Sequence, residues 1–172
     1  MAFYKVKVSK DYLKFSVAHF TIFNDSEVES LHGHNYHVSV TIICRDLQQG
    51  LIIEFRQLKN IIKQVCDSLD EKILLPSEYP LLKICKENEH FHVVFNGAGF
   101  TKEYRFPCDE VVILPLVNIT VELLARYVCE LLSQKLLTDC RNADHAFPET
   151  LLAIEVEVEE SAGQSATYVW EN

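Results

Sequence analysis

The stretch that decides the fold is LHGHNYHVSVTI, residues 31–42. Its second half alternates: Tyr36, Val38, Val40 and Ile42 fall on one face of an extended chain, and His37, Ser39 and Thr41 on the other, because strand side chains repeat with period two. One apolar face and one polar face describe an antiparallel sheet covered on one side. The same parity places His32 and His34 on a common face. Upstream, FSVAHF (residues 15–20) reads as a strand whose end can bring His19 alongside them. Three neutral imidazoles with an open fourth position make a catalytic-type zinc site rather than a closed structural one. Gly33, between the two histidines, lets the backbone approach closely or bulge. An isolated His-x-His is also common by chance, so a plain strand stays open as the alternative. His37 lies in the opposite register and is expected at the surface.

Outward from this stretch, residues 3–9 and 12–20 read as strands joined by a tight turn near Lys10 and Asp11. Residues 54–69 switch to helical period, with Phe55, Leu58, Ile61, Ile62, Val65 and Leu69 on one stripe. A second helix is expected over 120–137. Thr120 suits its N-cap, Glu122 its first turn, and Leu123, Leu124, Tyr127, Val128, Leu131 and Leu132 repeat at helical spacing. Residues 76–117 read mostly as strand, with a hairpin around Asn96-Gly97-Ala98-Gly99. Residues 138–149 read as loop, and 151–160 and 166–170 as the last strands. Helices covering one face of an antiparallel sheet make an α+β domain, and 172 residues fit a single domain, 1–172.

Composition narrows the class. Hydrophobic residues make up 48% of the chain, which is the composition of a globular protein. No apolar run approaches the roughly 20 residues that span a bilayer. The start, MAFYKVKVSKDY, alternates like a strand and lacks an apolar signal core, so a cytoplasmic location is expected. A net charge of -9 argues against nucleic acid as a partner and leaves only local basic pockets for an anionic ligand. Cys44, Cys66, Cys85, Cys108, Cys129 and Cys140 form no C-x-x-C pair and are expected as free thiols. Cys44, Cys66 and Cys129 fall in strand or helix patterns and read as packing residues.

The segment LLAIEVEVEES, residues 151–161, carries a second clue. Ile154, Val156 and Val158 share one face, and Glu155, Glu157 and Glu159 the solvated other. Glu160 continues the apolar register, so it points to the covered side if the strand persists and is a turn residue if it does not. A buried carboxylate is costly unless paired. As a ligand anchor its two oxygens suit adjacent N–H donors, such as the 2-amino-4-oxopyrimidine edge of a pterin or guanine.

FSVAHF, LHGHNYHVSVTI, GLIIEFRQLK, LDEKIL, TVELLA and VEESAGQSATY occur in this order. Together they resemble the 6-pyruvoyltetrahydropterin synthase family, which includes bacterial 6-carboxy-tetrahydropterin synthase. The resemblance covers most of the chain except an insertion at about 76–117. It implies a T-fold: a four-stranded antiparallel sheet with two helices on one face, here with an inserted hairpin. It also implies a homohexamer with active sites at subunit interfaces, a small-molecule pterin substrate and bound Zn2+. By position, His19, His32 and His34 match the zinc ligands. Glu160 matches the carboxylate that holds the pterin ring, with Tyr168 at the family spacing after it. Thr120 and Glu122 match the segment lining the pterin pocket.

Two departures stand out. Val28 occupies the usual place of the catalytic cysteine, and Leu69-Asp70-Glu71 replaces the family's Leu-Asp-His. One subgroup carries E-x-x-H-G-H, as here in Glu29-Ser30-Leu31-His32-Gly33-His34. That subgroup cuts the side chain of dihydroneopterin to give 6-hydroxymethyl-dihydropterin. Glu29 is then a candidate base, with an exposed loop glutamate beside Glu27 as the alternative. Such a base needs a pKa near working pH, which burial or a neighbouring carboxylate can supply. Glu71 is a second candidate, Asp70 is placed to orient a neighbour, and His145 is an outside substitute for the missing histidine. The expectation is a zinc-dependent lyase acting on dihydroneopterin or its triphosphate. A non-catalytic pterin- or purine-binding module and a different pterin reaction stay open. In the latter, Lys102 or Arg105 of the insertion could meet a phosphate.

Overall fold

In the computed structural model, which describes residues 2–142 and 147–172, the fold is organised by the pairing of two long strands. β1 (Tyr4–His19) and β2 (His32–Cys44) run antiparallel. The turn expected near Lys10 and Asp11 is absent, because both halves of β1 pair with the same strand. Ser9 faces Ser39 and Lys14 faces His37, so five steps along β1 match two along β2. The excess is accommodated as a bulge, which bends and twists the strand without ending it. Its Lys and Asp imitate turn chemistry.

β8 (Leu151–Ser161) pairs antiparallel with β2, and β9 (Gln164–Glu171) with β8. These four strands are the expected antiparallel sheet. Two short strands extend it beside β1: β3 (Lys72–Pro76), parallel to β1, and β7 (Val111–Leu114), parallel to β3. The result is a six-stranded mixed sheet in the order β7-β3-β1-β2-β8-β9. The α+β class holds.

α1 (Phe55–Leu69) and α2 (Val121–Asn142) cover its apolar face. Leu58, Ile61, Ile62, Val65 and Leu69 of α1, and Leu124, Val128, Leu132 and Leu136 of α2, are buried with Phe15, Tyr36, Val38, Val40, Ile42, Ile154, Val156 and Val158 of the sheet. Each such aliphatic side chain contributes about 1.5–3 kcal/mol of transfer free energy. Phe55, expected on the stripe, is exposed. Thr120 caps α2, its Oγ1 accepting from the Leu123 amide at 3.4 Å. The loop expected over 138–149 is helical at both of its described ends. α2 continues to Asn142, and a short helix α3 (Phe147–Thr150) leads into β8. His145 lies outside the described residues.

The insertion is more than a hairpin. β4 (Leu82–Glu87), β5 (His90–Asn96) and β6 (Thr101–Pro107) form a separate antiparallel sheet. The β5–β6 turn falls where Asn96-Gly97-Ala98-Gly99 places it. One face of this sheet builds a second core from Leu82, Val93, Phe95 and Phe106 against Phe20, Ile22 and Leu75. Val28 and Leu31, from the loop joining β1 to β2, pack on the same cluster.

Candidate metal centre and its carboxylates

The β1–β2 register assembles the histidines. His19 pairs directly with His32, and Val17 with His34, so the three imidazoles share one face at the end of the ladder. Opposed residues in such a pair have Cβ atoms about 5 Å apart. The ring centroids are 4.7 Å apart for His19–His32, 5.4 Å for His19–His34 and 4.9 Å for His32–His34. One nitrogen from each lies within 4.8 Å of the others. Gly33 pairs with Ala18 between them, where an added Cβ would stand 3.3 Å from the Val17 carbonyl. His37 is exposed on the opposite face.

The electrostatics keep His19 neutral. His19 is buried, and its pKa falls to about 4, first through desolvation and then through the neighbouring His32 and His34. His32 Nδ1 lies 2.8 Å from the Ser30 carbonyl. A proton on Nδ1 makes that contact a hydrogen bond and leaves the Nε2 lone pair free, as in imidazoles that ligate metals. Buried His19 Nδ1 makes no full hydrogen bond, although the Ile119 carbonyl favours a proton on that ring. Three nitrogen donors, one buried and two partly exposed, fit a tetrahedral metal with an open position.

Two carboxylates bracket the triad. Glu160 continues β8 on the inward face, as its parity predicts. Its Oε1 accepts from the Tyr36 hydroxyl at 2.8 Å and lies 3.5 Å from His34 Nε2 and 4.0 Å from His19 Nε2. On the other side, Glu29 Oε2 lies 3.8 Å from His32 Nε2 and accepts from the Thr21 amide at 3.1 Å. Burial would raise the Glu29 pKa, but the Thr21 hydrogen bonds and the nearby imidazoles outweigh it, and the net direction is down. The expectation of a raised base is therefore not met in the free chain, where Glu29 is a carboxylate at neutral pH.

The remaining predicted residues are placed as follows. Asp70 is tied to β1: its Oδ1 accepts from the Ser16 amide at 2.7 Å. Glu71, in the left-handed region at φ 57°, shares an open cleft with His34, Asn35, Lys72 and Glu110. Glu122 stands exposed in the first turn of α2. Thr120 adjoins the triad through its neighbour Ile119. Lys102, considered as a phosphate group's partner, instead donates to backbone carbonyls, and Arg105 is exposed beside His92 and Glu103. Burial pushes the Cys44 and Cys129 thiols to about 11 and Cys66 to about 12, which keeps all three as inert packing groups.

Sequence reasoning missed Tyr36, whose hydroxyl lies 3.0 Å from His19 Nε2 while donating to Glu160. The alternation that groups His32 with His34 extends to Tyr36. From the pattern alone an aromatic in that register reads as core, although its hydroxyl demands a partner.

The comparisons bear on the family and the fold. Residues 7–171 match the family model described as 6-pyruvoyl tetrahydropterin synthase. A protein of Methanocaldococcus jannaschii, provisionally named 6-carboxy-5,6,7,8-tetrahydropterin synthase, is 30% identical over 162 residues, 91% of this chain and 89% of that protein. The 6-pyruvoyl tetrahydropterin synthase of Plasmodium falciparum superposes with a TM-score of 0.87 at 27% identity, over 100% of both chains. A Plasmodium vivax 6-pyruvoyltetrahydropterin synthase does so with the same values; it is a variant in which a glutamate described as a catalytic residue is replaced by alanine. The chain belongs to the 6-pyruvoyl tetrahydropterin synthase family.

Proposed function

We propose that this chain is a zinc-dependent lyase that cuts the side chain of 7,8-dihydroneopterin or its triphosphate, giving 6-hydroxymethyl-dihydropterin. The observation that carries this reading is Glu29, fixed by the Thr21 amide at 3.1 Å with an oxygen 3.8 Å from His32 Nε2. A catalytic glutamate in the Plasmodium vivax synthase supports a carboxylate in that role. His19, His32 and His34 would hold zinc, which supplies Lewis acidity to side-chain oxygens.

Glu29 takes the proton of a side-chain hydroxyl. The bond between that carbinol carbon and the carbon attached to the ring then breaks: the carbinol carbon leaves as the aldehyde of a two-carbon fragment, the bond's electron pair passes into the conjugated ring, and the proton is returned to the carbon left on the ring. Excluding water from the site on substrate binding raises the basicity of Glu29.

Glu160 takes a different part from the ring anchor expected above. The 2-amino edge of a pterin and the carbon bearing its side chain lie at opposite ends of the bicycle. A carboxylate 3.5 Å from His34 cannot hold that edge while the same substrate's side chain reaches the histidines. We assign Glu160, steadied by Tyr36, to side-chain hydroxyls, and the ring edge to the Thr120–Glu122 segment. Assembly as a homohexamer with sites between protomers, and a cytoplasmic location, belong to the same reading. Among the described residues, no helix is long and apolar enough to cross a membrane.

The direct test is Glu29→Gln. It should retain zinc and lower turnover by about 10²–10⁴. Unchanged turnover would remove Glu29 from the mechanism.

A further inference from the structure

The loop that carries Glu29 is held from two sides. On one side the Asn118 side chain brackets Ile22, accepting from its amide at 3.1 Å and donating to its carbonyl at 2.8 Å. On the other side stands the inserted sheet. The Ala98 amide at the β5–β6 turn donates to the Asp25 carbonyl at 2.7 Å. From β6, the half-buried Lys102 sends its ammonium to two consecutive carbonyls, Val28 at 3.0 Å and Glu29 at 2.8 Å. Charge-assisted bonds of this kind are stronger than neutral ones, and two from one flexible side chain restrict the backbone they meet. The Glu29 amide is bound as well, to the Thr21 carbonyl at 2.9 Å. Its carboxylate closes back on the Thr21 amide. The main chain of residue 29 is thus fixed at both its N–H and its C=O, and this sets where its carboxylate can reach.

We propose that Lys102 is a positioning residue for Glu29, and that the inserted sheet is the scaffold aligning this base with the histidines. The proposal rests on the reading of Glu29 as base. It assigns a role in the same reaction to the sheet β4–β6, which carries none of the histidines or carboxylates of the site. The second core gives the scaffold its stiffness, since Phe20, Ile22, Val28 and Leu31 of the loop region pack against Val93, Phe95 and Phe106 of the insert.

The test is a double-mutant cycle on the full zinc-loaded chain. Lys102→Met keeps the aliphatic stem and removes the donors. It should lower kcat about 10–100-fold, as expected for a displaced reacting group, with zinc content unchanged and KM little altered. Lys102→Arg, which keeps charge and donors, should recover most of the loss. In a Glu29→Gln background, Lys102→Met should add no further loss of kcat, because it acts only through Glu29. An additive loss in the double variant, or full activity in Lys102→Met, overturns the proposal. Hydrogen exchange gives a readout independent of turnover. If the wild-type chain turns over neither pterin, the lyase reading fails by itself. Unchanged amide protection over residues 21–29 in Lys102→Met then overturns the tether, and faster exchange there upholds it.

Discussion

Replacing Tyr36 by Phe removes one oxygen and leaves the packing in place. The ring stays stacked on Phe15, with centroids 5.3 Å apart, so no cavity opens. What is lost is the donor to Glu160 at 2.8 Å and the contact with His19 Nε2 at 3.0 Å. Burial and the adjacent Glu160 push the Tyr36 pKa far above its usual value. The hydroxyl is therefore neutral at any working pH and acts only through hydrogen bonding. A bond to a charged acceptor is worth about 1.5–3 kcal/mol and a neutral one about 0.5–1.5 kcal/mol. The Glu160 side chain is 26% exposed, so water replaces part of what it loses, and the cost settles at about 1–3 kcal/mol. Urea unfolding of the metal-free protein is the assay. The midpoint should fall at constant m, which marks a change of stability rather than of the unfolded state. In heat, each kcal/mol should lower Tm by about 2–4 °C for a chain of this size. A midpoint equal to wild type would refute the Tyr36–Glu160 hydrogen bond.

Two further outcomes follow from the same geometry. Asp70→Ala should destabilise the chain by about 1–3 kcal/mol by leaving the Ser16 amide without its acceptor, with zinc content unchanged; denaturation and metal analysis of the same sample check both. Gly97→Ala places a Cβ 2.7 Å from the Asp25 carbonyl and from the Phe100 ring. It should cost about 1–3 kcal/mol and speed amide exchange at Ala98, whose N–H is bound to that carbonyl.

The histidine triad was legible because two local rules suffice: alternation puts His32 and His34 on one face, and a strand ending at His19 pairs it with His32. Glu160 was legible by the same parity. The bulge at Ser9–Lys14 was not, since its polar residues resemble a turn and only the shared partner strand excludes one. The end of α2 was hidden because residues 138–142 carry no apolar stripe, and a helix already formed continues at little cost. The insert's third strand has a weak signature, since LKICKE carries only two apolar residues on its alternating face, Leu82 and Ile84. Lys102 meets Glu29 across 73 residues, a contact that no local periodicity encodes. The pKa direction of Glu29 depends on the Thr21 amide, which is visible only once the loop is folded.

The central claim is that a zinc triad and Glu29 together cut a pterin side chain. It is tested most directly by chromatography of the zinc-loaded protein after separate incubation with 7,8-dihydroneopterin and with its triphosphate. The account predicts a 6-hydroxymethyl-dihydropterin product from at least one of them, lost when zinc is removed and restored when it is returned. A 6-pyruvoyl or 6-carboxy product, or no product from either, would contradict it.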